Sequence, residues 1–182
     1  MATSFLSRFS AVICLSTALL SGCCANNVCD CDDSNADAVE FRFSADTMSA
    51  SGKGFRLADL DTIIIERSPL PYDPLAKPET VTLYRLRAQI GDSLVLNNNA
   101  PFPQKANLKL NKYRYVVRYL TPPPVKGDPT AVLVIDSVGL KGNFDGDGCC
   151  TCYTNTRKAI YTSGNPVGRE LQPDDEVELA KP

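Results

Sequence analysis

Apolar and polar residues alternate in short runs along most of the chain from residue 39 onward. In Val39–Phe43 every second residue is apolar, and in Tyr113–Tyr119 three tyrosines and a valine share one parity. A period of two is typical of a strand that buries one face and exposes the other, so Tyr113, Tyr115 and Tyr119 are expected in the core. The other segments predicted as strands are Asp61–Arg67, Thr80–Ile90, Ser93–Leu96, Ala131–Val138, Cys152–Tyr161 and Glu176–Leu179.

Proline, glycine and asparagine are concentrated between these predicted strands. They cluster at residues 69–78, 97–103 and 122–124, where such residues favour turns. No window combines helical periodicity with capping residues, so a fold that alternates strands and helices is not expected. The pattern predicts an all-β domain, an immunoglobulin-like β-sandwich of seven or eight short antiparallel strands. A small barrel or a jelly roll is the alternative.

The first 22 residues have a different pattern. Arg8 is their only charged residue, and an apolar run, Phe9–Leu20, follows it. This run is shorter than the roughly 20 residues that a membrane-spanning helix needs, and its layout is that of a secretory signal. Leu20-Ser-Gly-Cys23 resembles the lipobox of bacterial lipoproteins, in which the cysteine receives diacylglycerol and the preceding peptide is removed. A plain secretory signal, with Cys23 in a disulfide, is the alternative.

This interpretation divides the chain into three parts. Residues 1–22 are predicted to be a lipoprotein signal peptide, residues 23–38 a lipidated tether that contains cysteines, and residues 39–182 a single β domain. Lipidation of Cys23 would anchor the protein in a membrane of the cell envelope. We expect the outer membrane, with the domain facing either the periplasm or the cell surface.

Six cysteines remain when Cys14 in the signal and Cys23 are set aside, and they form two clusters of three. An even number in an exported protein predicts disulfides, because that compartment is oxidising. The split between the two ends of the domain favours bonds from one cluster to the other. A thiolate site for Cu(I) or Zn(II) is the alternative, but the spacing is unlike that of the usual zinc knuckles. The six cysteines are Cys24, Cys29, Cys31, Cys149, Cys150 and Cys152.

The composition narrows the chemistry further. The chain contains no histidine, so it lacks the usual general base and every Ser-His or Cys-His arrangement. It has 19 basic and 21 acidic residues, which is unlike the basic footprint of a nucleic-acid-binding protein. No nucleophile elbow and no phosphate-binding glycine loop is present, and no spacing singles out a pair of carboxylates. We therefore expect no enzymatic activity and no cofactor.

Asn143, Asp145 and Asp147 stand at the first, third and fifth positions of a segment with a glycine in the sixth, as in calcium-binding loops. The twelfth position is Thr154 instead of a bidentate glutamate, and no predicted helix flanks the segment. A hairpin turn rich in aspartate and glycine is the simpler interpretation. Ca²⁺ remains the alternative cofactor.

Four arginines lie on the predicted outward faces of two strands: Arg85, Arg87, Arg114 and Arg118. If these strands are neighbours, the arginines form a basic stripe that could bind an anionic glycan or a lipid headgroup. Charged residues on the solvent face of a half-buried sheet are also the ordinary outcome of its pattern.

Three segments together resemble uncharacterised lipoproteins of Bacteroidetes-type bacteria, which pair a lipobox with a compact β domain and a late cysteine cluster. They are Lys112–Val117, Val132–Val138 and Gly148–Asn155. The resemblance implies an envelope location and a β fold, and no activity. We therefore expect a non-enzymatic, lipid-anchored binding or scaffolding protein whose partner is an envelope protein or a glycan. A metal- or calcium-dependent module, either a thiolate metal carrier or an accessory domain of a glycan-processing system, is the alternative.

Overall fold

Nine strands make up most of the chain that is described in a computed structural model, which covers residues 29–31, 33–45, 54–120, 129–147, 150–163, 165–172 and 175–182. In chain order the strands are β1 (Val39–Phe43), β2 (Thr62–Pro69), β3 (Glu79–Tyr84), β4 (Leu94–Leu96), β5 (Tyr113–Tyr119), β6 (Thr130–Asp147), β7 (Cys150–Thr162), β8 (Asn165–Leu171) and β9 (Glu176–Leu179). Helical structure in the described residues is limited to single turns, at Asp33–Ala36, Leu57–Asp59, Arg87–Gln89 and Leu110–Lys112. Within these ranges the structure contains no apolar helix of membrane-spanning length.

The strands form two sheets. The larger sheet has six antiparallel strands in the order β3-β2-β5-β6-β7-β8, and the smaller one has the order β4-β1-β9. Neither sheet closes into a barrel, so the predicted all-β sandwich is confirmed over the barrel alternative. The expectation that all strands are antiparallel is wrong in one place, because β1 pairs in parallel with β9. This pair brings the first and last described strands together, and no hairpin links them.

The core lies between the two sheets. The smaller sheet contributes Phe41, Phe43 and Val177, and the larger contributes the inward residues of β2, β5, β6 and β7. The rings of Phe43, Phe55 and Tyr119 pack edge to face, with centroids 5.2 and 5.0 Å apart. Tyr113, Tyr115 and Tyr119 are all buried, which confirms the inward parity that the sequence predicts.

The bounds of several strands differ from those expected. The predicted strand Thr80–Ile90 stops at Tyr84, because Arg85 turns inward and donates hydrogen bonds to the carbonyl oxygens of Gln89 and Asp92. Strand β8, which the sequence pattern does not indicate, contains Pro166 and Gly168. Such residues are tolerated at the edge of a sheet, where β8 lies.

Candidate functional site

The long hairpin of β6 and β7 contains a β-bulge that re-aims the side chains beyond it. Lys141 lies opposite Arg157, whereas the next residue, Gly142, lies opposite Asn155. Thr156 is therefore the extra residue of β7, with no residue of β6 directly opposite it. The extra residue shifts the alternation of side chains by one position. Residues with even numbers on one side of the bulge therefore point to the same face as residues with odd numbers on the other side. As a result Tyr153 and Asn155 share the face that carries Ile160 into the core.

Two disulfides join the segment before β1 to the start of β7. Cys29 is bonded to Cys150 and Cys31 to Cys152, with Cα atoms 5.4 Å apart in both pairs. The predicted pairing between the two clusters is confirmed for these four cysteines, and their sulfurs are therefore not available as thiolate ligands. The remaining two of the six, Cys24 and Cys149, lie outside the described residues, as does the lipobox with Cys23.

Asp37 fixes the same segment on the other face of β7. Its carboxylate is fully buried, and its Oδ1 atom accepts hydrogen bonds from the Tyr153 hydroxyl (3.0 Å) and from Nδ2 of Asn155 (2.7 Å). Its Oδ2 atom accepts no hydrogen bond from the described residues, but the ammonium of Lys109 lies 3.5 Å away. That ammonium also lies 4.1 Å from the centre of the Tyr153 ring.

The burial of Tyr153 raises the pKa of its phenol, and the negative charge and hydrogen bond of Asp37 raise it further. The hydrogen bond from Asn155 acts in the opposite direction but does not reverse the shift. Tyr153 therefore stays protonated at neutral pH and serves Asp37 as a hydrogen-bond donor, not as a base.

These contacts show that the segment passes around the edge of β7. Cys152 and Tyr153 are neighbours on the strand, so their side chains point to opposite faces. Cys31 is bonded on one face and Asp37 on the other, with the helical turn Asp33–Ala36 between them. We refer to Cys29, Cys31, Asp37 and Ala38, whose carbonyl oxygen accepts a hydrogen bond from the buried Lys158, as the clasp. The clasp covers a sheet edge that would otherwise be open to another strand.

A cleft of about 650 Å³ lies between the clasp, the middle of β7 and the end of β8. Its walls carry amide, hydroxyl and charged groups beside apolar ones such as Ala36 and Leu171, and the charges of Arg157 and Glu170 compensate each other through a hydrogen bond of 2.8 Å. The polar residues that line it are Asp30, Asn35, Glu40, Tyr153, Thr154, Asn155, Thr156, Arg157, Lys158, Glu170 and Gln172. We take this cleft as the candidate binding site.

The predicted calcium residues belong to a paired strand. Asn143, Asp145 and Asp147 occupy alternate positions of β6, and their partners on β7 are Thr154, Cys152 and Cys150. Positions two apart on an extended strand lie about 6.5 Å from each other, which separates the three positions along a line. In the described ranges no three acidic or cysteine side chains come together as a metal-binding group. The segment forms the distal part of the hairpin.

The four arginines of the predicted stripe are not brought together. Strand β2 lies between β3 and β5, and both Arg85 and Arg87 lie beyond the end of β3. Arg114 and Arg118 do share the outward face of β5. Each is paired with an acidic residue, Arg114 with Asp136 at 3.1 Å and Arg118 with Glu66 at 3.2 Å. The expected excess of positive charge is therefore neutralised on this face.

Asp37, Tyr153, Asn155 and Lys109 are the site residues that the sequence pattern does not indicate. Asp37 lies at the end of an acidic stretch that reads as a solvated tether, and Lys109 lies in a loop. The inward placement of Tyr153 and Asn155 depends on the bulge at Thr156, which has no signature in the sequence. Comparisons with protein-family models, curated proteins and solved structures found no match to this chain.

Proposed function

We propose that this protein is a lipid-anchored component of the bacterial cell envelope that binds or scaffolds a partner without catalysing a reaction. The observation that carries the proposal is the clasp, which joins the segment directly after the predicted lipidation site to β7 by two disulfides. Disulfides form and persist in exported proteins, which is the fate that the lipobox predicts. The two features therefore support the same location independently.

The clasp also sets how far the domain can move from its anchor. Cys29 follows Cys23 by six residues, and six extended residues span about 20 Å at most. Because Cys29 is bonded to Cys150, this distance also limits how far the start of β7 can lie from the anchor. A lipid on Cys23 would hold the hairpin end of the sandwich close to the membrane surface, and the cleft beside the clasp would lie near it.

The first test concerns the anchor. Cys23→Ala should abolish incorporation of radiolabelled palmitate and move the protein from the membrane fraction to the soluble fraction, because no other lipidation site is predicted. Cys14→Ala, a cysteine change within the signal itself, is the matched control and should remain labelled and membrane-bound. A Cys23→Ala protein that still sediments with membranes would contradict the proposed anchoring.

The chemistry of the cleft favours a neutral, hydroxyl-rich ligand such as a glycan. Asn35, Asn155 and Gln172 offer amides that both donate and accept hydrogen bonds, and Thr154 and Thr156 offer hydroxyls. A volume of about 650 Å³ is within the range of small-molecule sites in proteins. The compensation of Arg157 by Glu170 removes the preference for an anion that an unpaired arginine would give.

The second test is a binding measurement on an array of neutral envelope oligosaccharides. Thr154→Arg should weaken binding by about tenfold or more, because it places a long cationic side chain at an exposed position of the cleft wall. Thr151→Arg, also exposed on β7 but outside the cleft, is the control and should bind as the wild type does. Equal binding by both variants, or no oligosaccharide bound by the wild type, would exclude the cleft as a glycan site.

A further inference from the structure

Strand β3 forms one edge of the larger sheet, and it lacks the features that keep sheet edges from pairing with other strands. In the described part of the chain only β2 pairs with it, along the whole length from Glu79 to Tyr84. Natural edge strands are usually short, or are interrupted by proline, bulges or charged side chains. The six residues of β3 contain no proline, glycine or lysine, and their only charged residue is Glu79.

The other three edges of the described sheets do have such features. Strand β8 contains Pro166 and Gly168, whose φ of 77° is outside the strand region, and its pairing with β7 is irregular. Strand β4 is only three residues long, and β9 has four residues of which Glu176 and Glu178 are charged. The contrast shows that β3 alone among these edges presents a regular ladder of backbone donors and acceptors that is free of charged side chains from Thr80 to Tyr84.

Exposed apolar side chains lie at both ends of this edge. Tyr84, the last residue of the strand, is 81% exposed, Leu86 just beyond it is 71% exposed, and Leu75 in the loop before the strand is 94% exposed. Large apolar side chains with this exposure, on both sides of an open strand edge, mark a surface suited to a protein partner.

The sequence of β3 is complementary to itself in one antiparallel register. When Thr82 of two copies lie opposite each other across a two-fold axis perpendicular to the sheet, Val81 of one copy faces Leu83 of the other. In the same register Thr80 faces Tyr84. The two residues of each pair point to the same face of the sheet, because their numbers have the same parity. Val81 and Leu83 lie on one face, and Thr80, Thr82 and Tyr84 lie on the other. Threonine pairs and pairs of β-branched with aromatic or aliphatic residues are favourable cross-strand neighbours.

Charge does not oppose this register. Glu79 of one copy would come closest to Arg85 of the second copy, which lies one residue beyond the end of β3, and the two-fold axis would repeat this arrangement at the other end of the strand. Both side chains already have partners in their own chain, Glu79 with Arg67 and Lys105, and Arg85 with carbonyl oxygens. The register therefore needs no new ion pair, and it places no like charges opposite each other.

We propose that β3 is a homodimer interface, at which two copies of this chain join their six-stranded sheets edge to edge with Thr82 on the two-fold axis. The pairing would satisfy the free backbone groups of β3 and cover Tyr84 of each copy. The interface lies on the edge of the sheet opposite to β7 and β8, which flank the cleft, and the proposal does not depend on the proposed location or ligand.

Cysteine cross-linking in cells that express the full chain tests both the contact and its register. Thr82→Cys should give a disulfide-linked dimer on a non-reducing gel, because directly opposite residues of antiparallel strands have Cα atoms about 4.5–5.5 Å apart. Thr80→Cys is the matched control, since it is equally exposed and on the same face. In the proposed register its two copies are about 14 Å apart, so it should not cross-link.

A second variant tests the association without a new cysteine. Thr82→Lys points into solvent in the single chain and should leave the far-ultraviolet circular dichroism spectrum unchanged, but it places two ammonium groups face to face in the dimer. Sedimentation of the purified full chain in detergent should change from dimer to monomer with this variant. A wild-type monomer, equal cross-linking by Thr80→Cys and Thr82→Cys, or a dimer that persists with Thr82→Lys would overturn the proposal. A monomer would also be the result if β3 instead receives a strand from a different protein.

Discussion

Three of the buried charged residues, Asp37, Arg67 and Asp59, join distant segments of the described chain through a fixed set of partners. Asp37 holds the clasp, and Arg67 lies between the rings of Phe102 and Tyr113, with its guanidinium carbon 4.6 and 4.5 Å from their centres. Arg67 also donates hydrogen bonds to Glu79 (3.1 Å) and to a loop carbonyl oxygen. Burying a charge is costly unless it is paired and hydrogen-bonded, so these residues hold distant segments in one arrangement.

Asp59 is the third of these residues, and it ties the C-terminal end of the chain to the loop before β2. Its carboxylate accepts hydrogen bonds from the backbone N–H of Arg56 (2.9 Å) and from the ammonium of Lys181. Burial by itself would raise the pKa of Asp59. The hydrogen bonds from Lys181 and Arg56, and the positive charge of Lys181, outweigh that effect and hold the pKa below its usual value of 3.8.

Replacing Asp59 should therefore destabilise the protein in a pH-dependent way. Because the pKa is lower in the folded state, ionised Asp59 stabilises the fold above about pH 4, and this contribution is lost as the pH falls through the folded value. Asp59→Asn should lower the free energy of unfolding at pH 7 by about 1–3 kcal/mol. The difference from wild type should shrink as the pH falls below 4, as measured by urea denaturation over a pH series.

The adjacent exposed carboxylate provides the control for this experiment. Asp61→Asn removes the same charge two residues away and should leave the stability within about 0.5 kcal/mol of wild type. If Asp59→Asn is as stable as wild type at pH 7, or if its deficit persists unchanged in acid, the ionised contact with Lys181 does not stabilise the fold.

At the scale of elements, the β6–β7 hairpin depends on close packing of the Tyr153 ring over Gly142. A Cβ atom on Gly142 would lie 2.6 Å from the carbonyl oxygen of Thr154 and closer still to the phenol end of Tyr153. The backbone oxygen cannot move away without disturbing the hairpin. Glycine is therefore required at this position by space, and the tyrosine that occupies the space is the one that binds Asp37.

Gly142→Ala should loosen the hairpin and the clasp together. We expect a loss of about 1–3 kcal/mol in the free energy of unfolding, as is usual when a side chain is forced into an occupied site. Gly146→Ala is the matched control, since its Cβ atom would meet nothing closer than 3.8 Å. The measurement is thermal denaturation of both variants. Equal melting temperatures for Gly142→Ala and Gly146→Ala would show that Tyr153 can move aside without loss of stability.

The sequence predicts the elements unevenly, and the reasons are physical. It places β1 and β5 with the same bounds as the structure, because their periodicity of two indicates directly which face is buried, and it places β2 to within two residues from its run of β-branched residues. It extends β3 to Ile90, because alternation continues after the chain has left the sheet. It shortens β6, whose glycines and aspartates favour turns locally but pair with β7 across the hairpin.

At the scale of the whole molecule, the disulfides of the clasp do more than join two segments. Each closes a loop with a sequence separation of 121 residues, which includes most of both sheets. In the chain-entropy model, closing a loop of this length stabilises a fold by roughly 4–5 kcal/mol. The second bond contributes less, since the first has already restricted the same loop. A domain exposed outside the cytoplasm would gain resistance to unfolding from this arrangement.

The molecule therefore presents distinct surfaces on opposite edges of its larger sheet. The clasp and cleft lie at β7 and β8, next to the segment that leads to the predicted anchor, while β3 lies at the other edge. If both proposals hold, a dimer joined through β3 would place two clefts and two anchors at the outer ends of a continuous sheet. Binding to a multivalent partner would then be strengthened by the attachment of both ends.

The sequence by itself determined the class of fold and the inward parity of the core residues of β1 and β5, but not the parity at the end of β3, where Arg85 is buried and Tyr84 is exposed. Both follow from local alternation, since the pleat of a strand sends neighbouring side chains to opposite faces. Its cysteine clusters also indicated correctly that the two ends of the domain are bonded to each other. The signal with Cys23 remains a prediction.

Only the tertiary structure decided which of these faces and ends meet. It paired β1 in parallel with β9, neutralised Arg114 and Arg118 with Asp136 and Glu66, and turned Tyr153 toward Asp37 through a bulge. These outcomes depend on contacts between residues far apart in the chain. The free energy of each such contact depends on many residues at once, so no local sequence pattern predicts it.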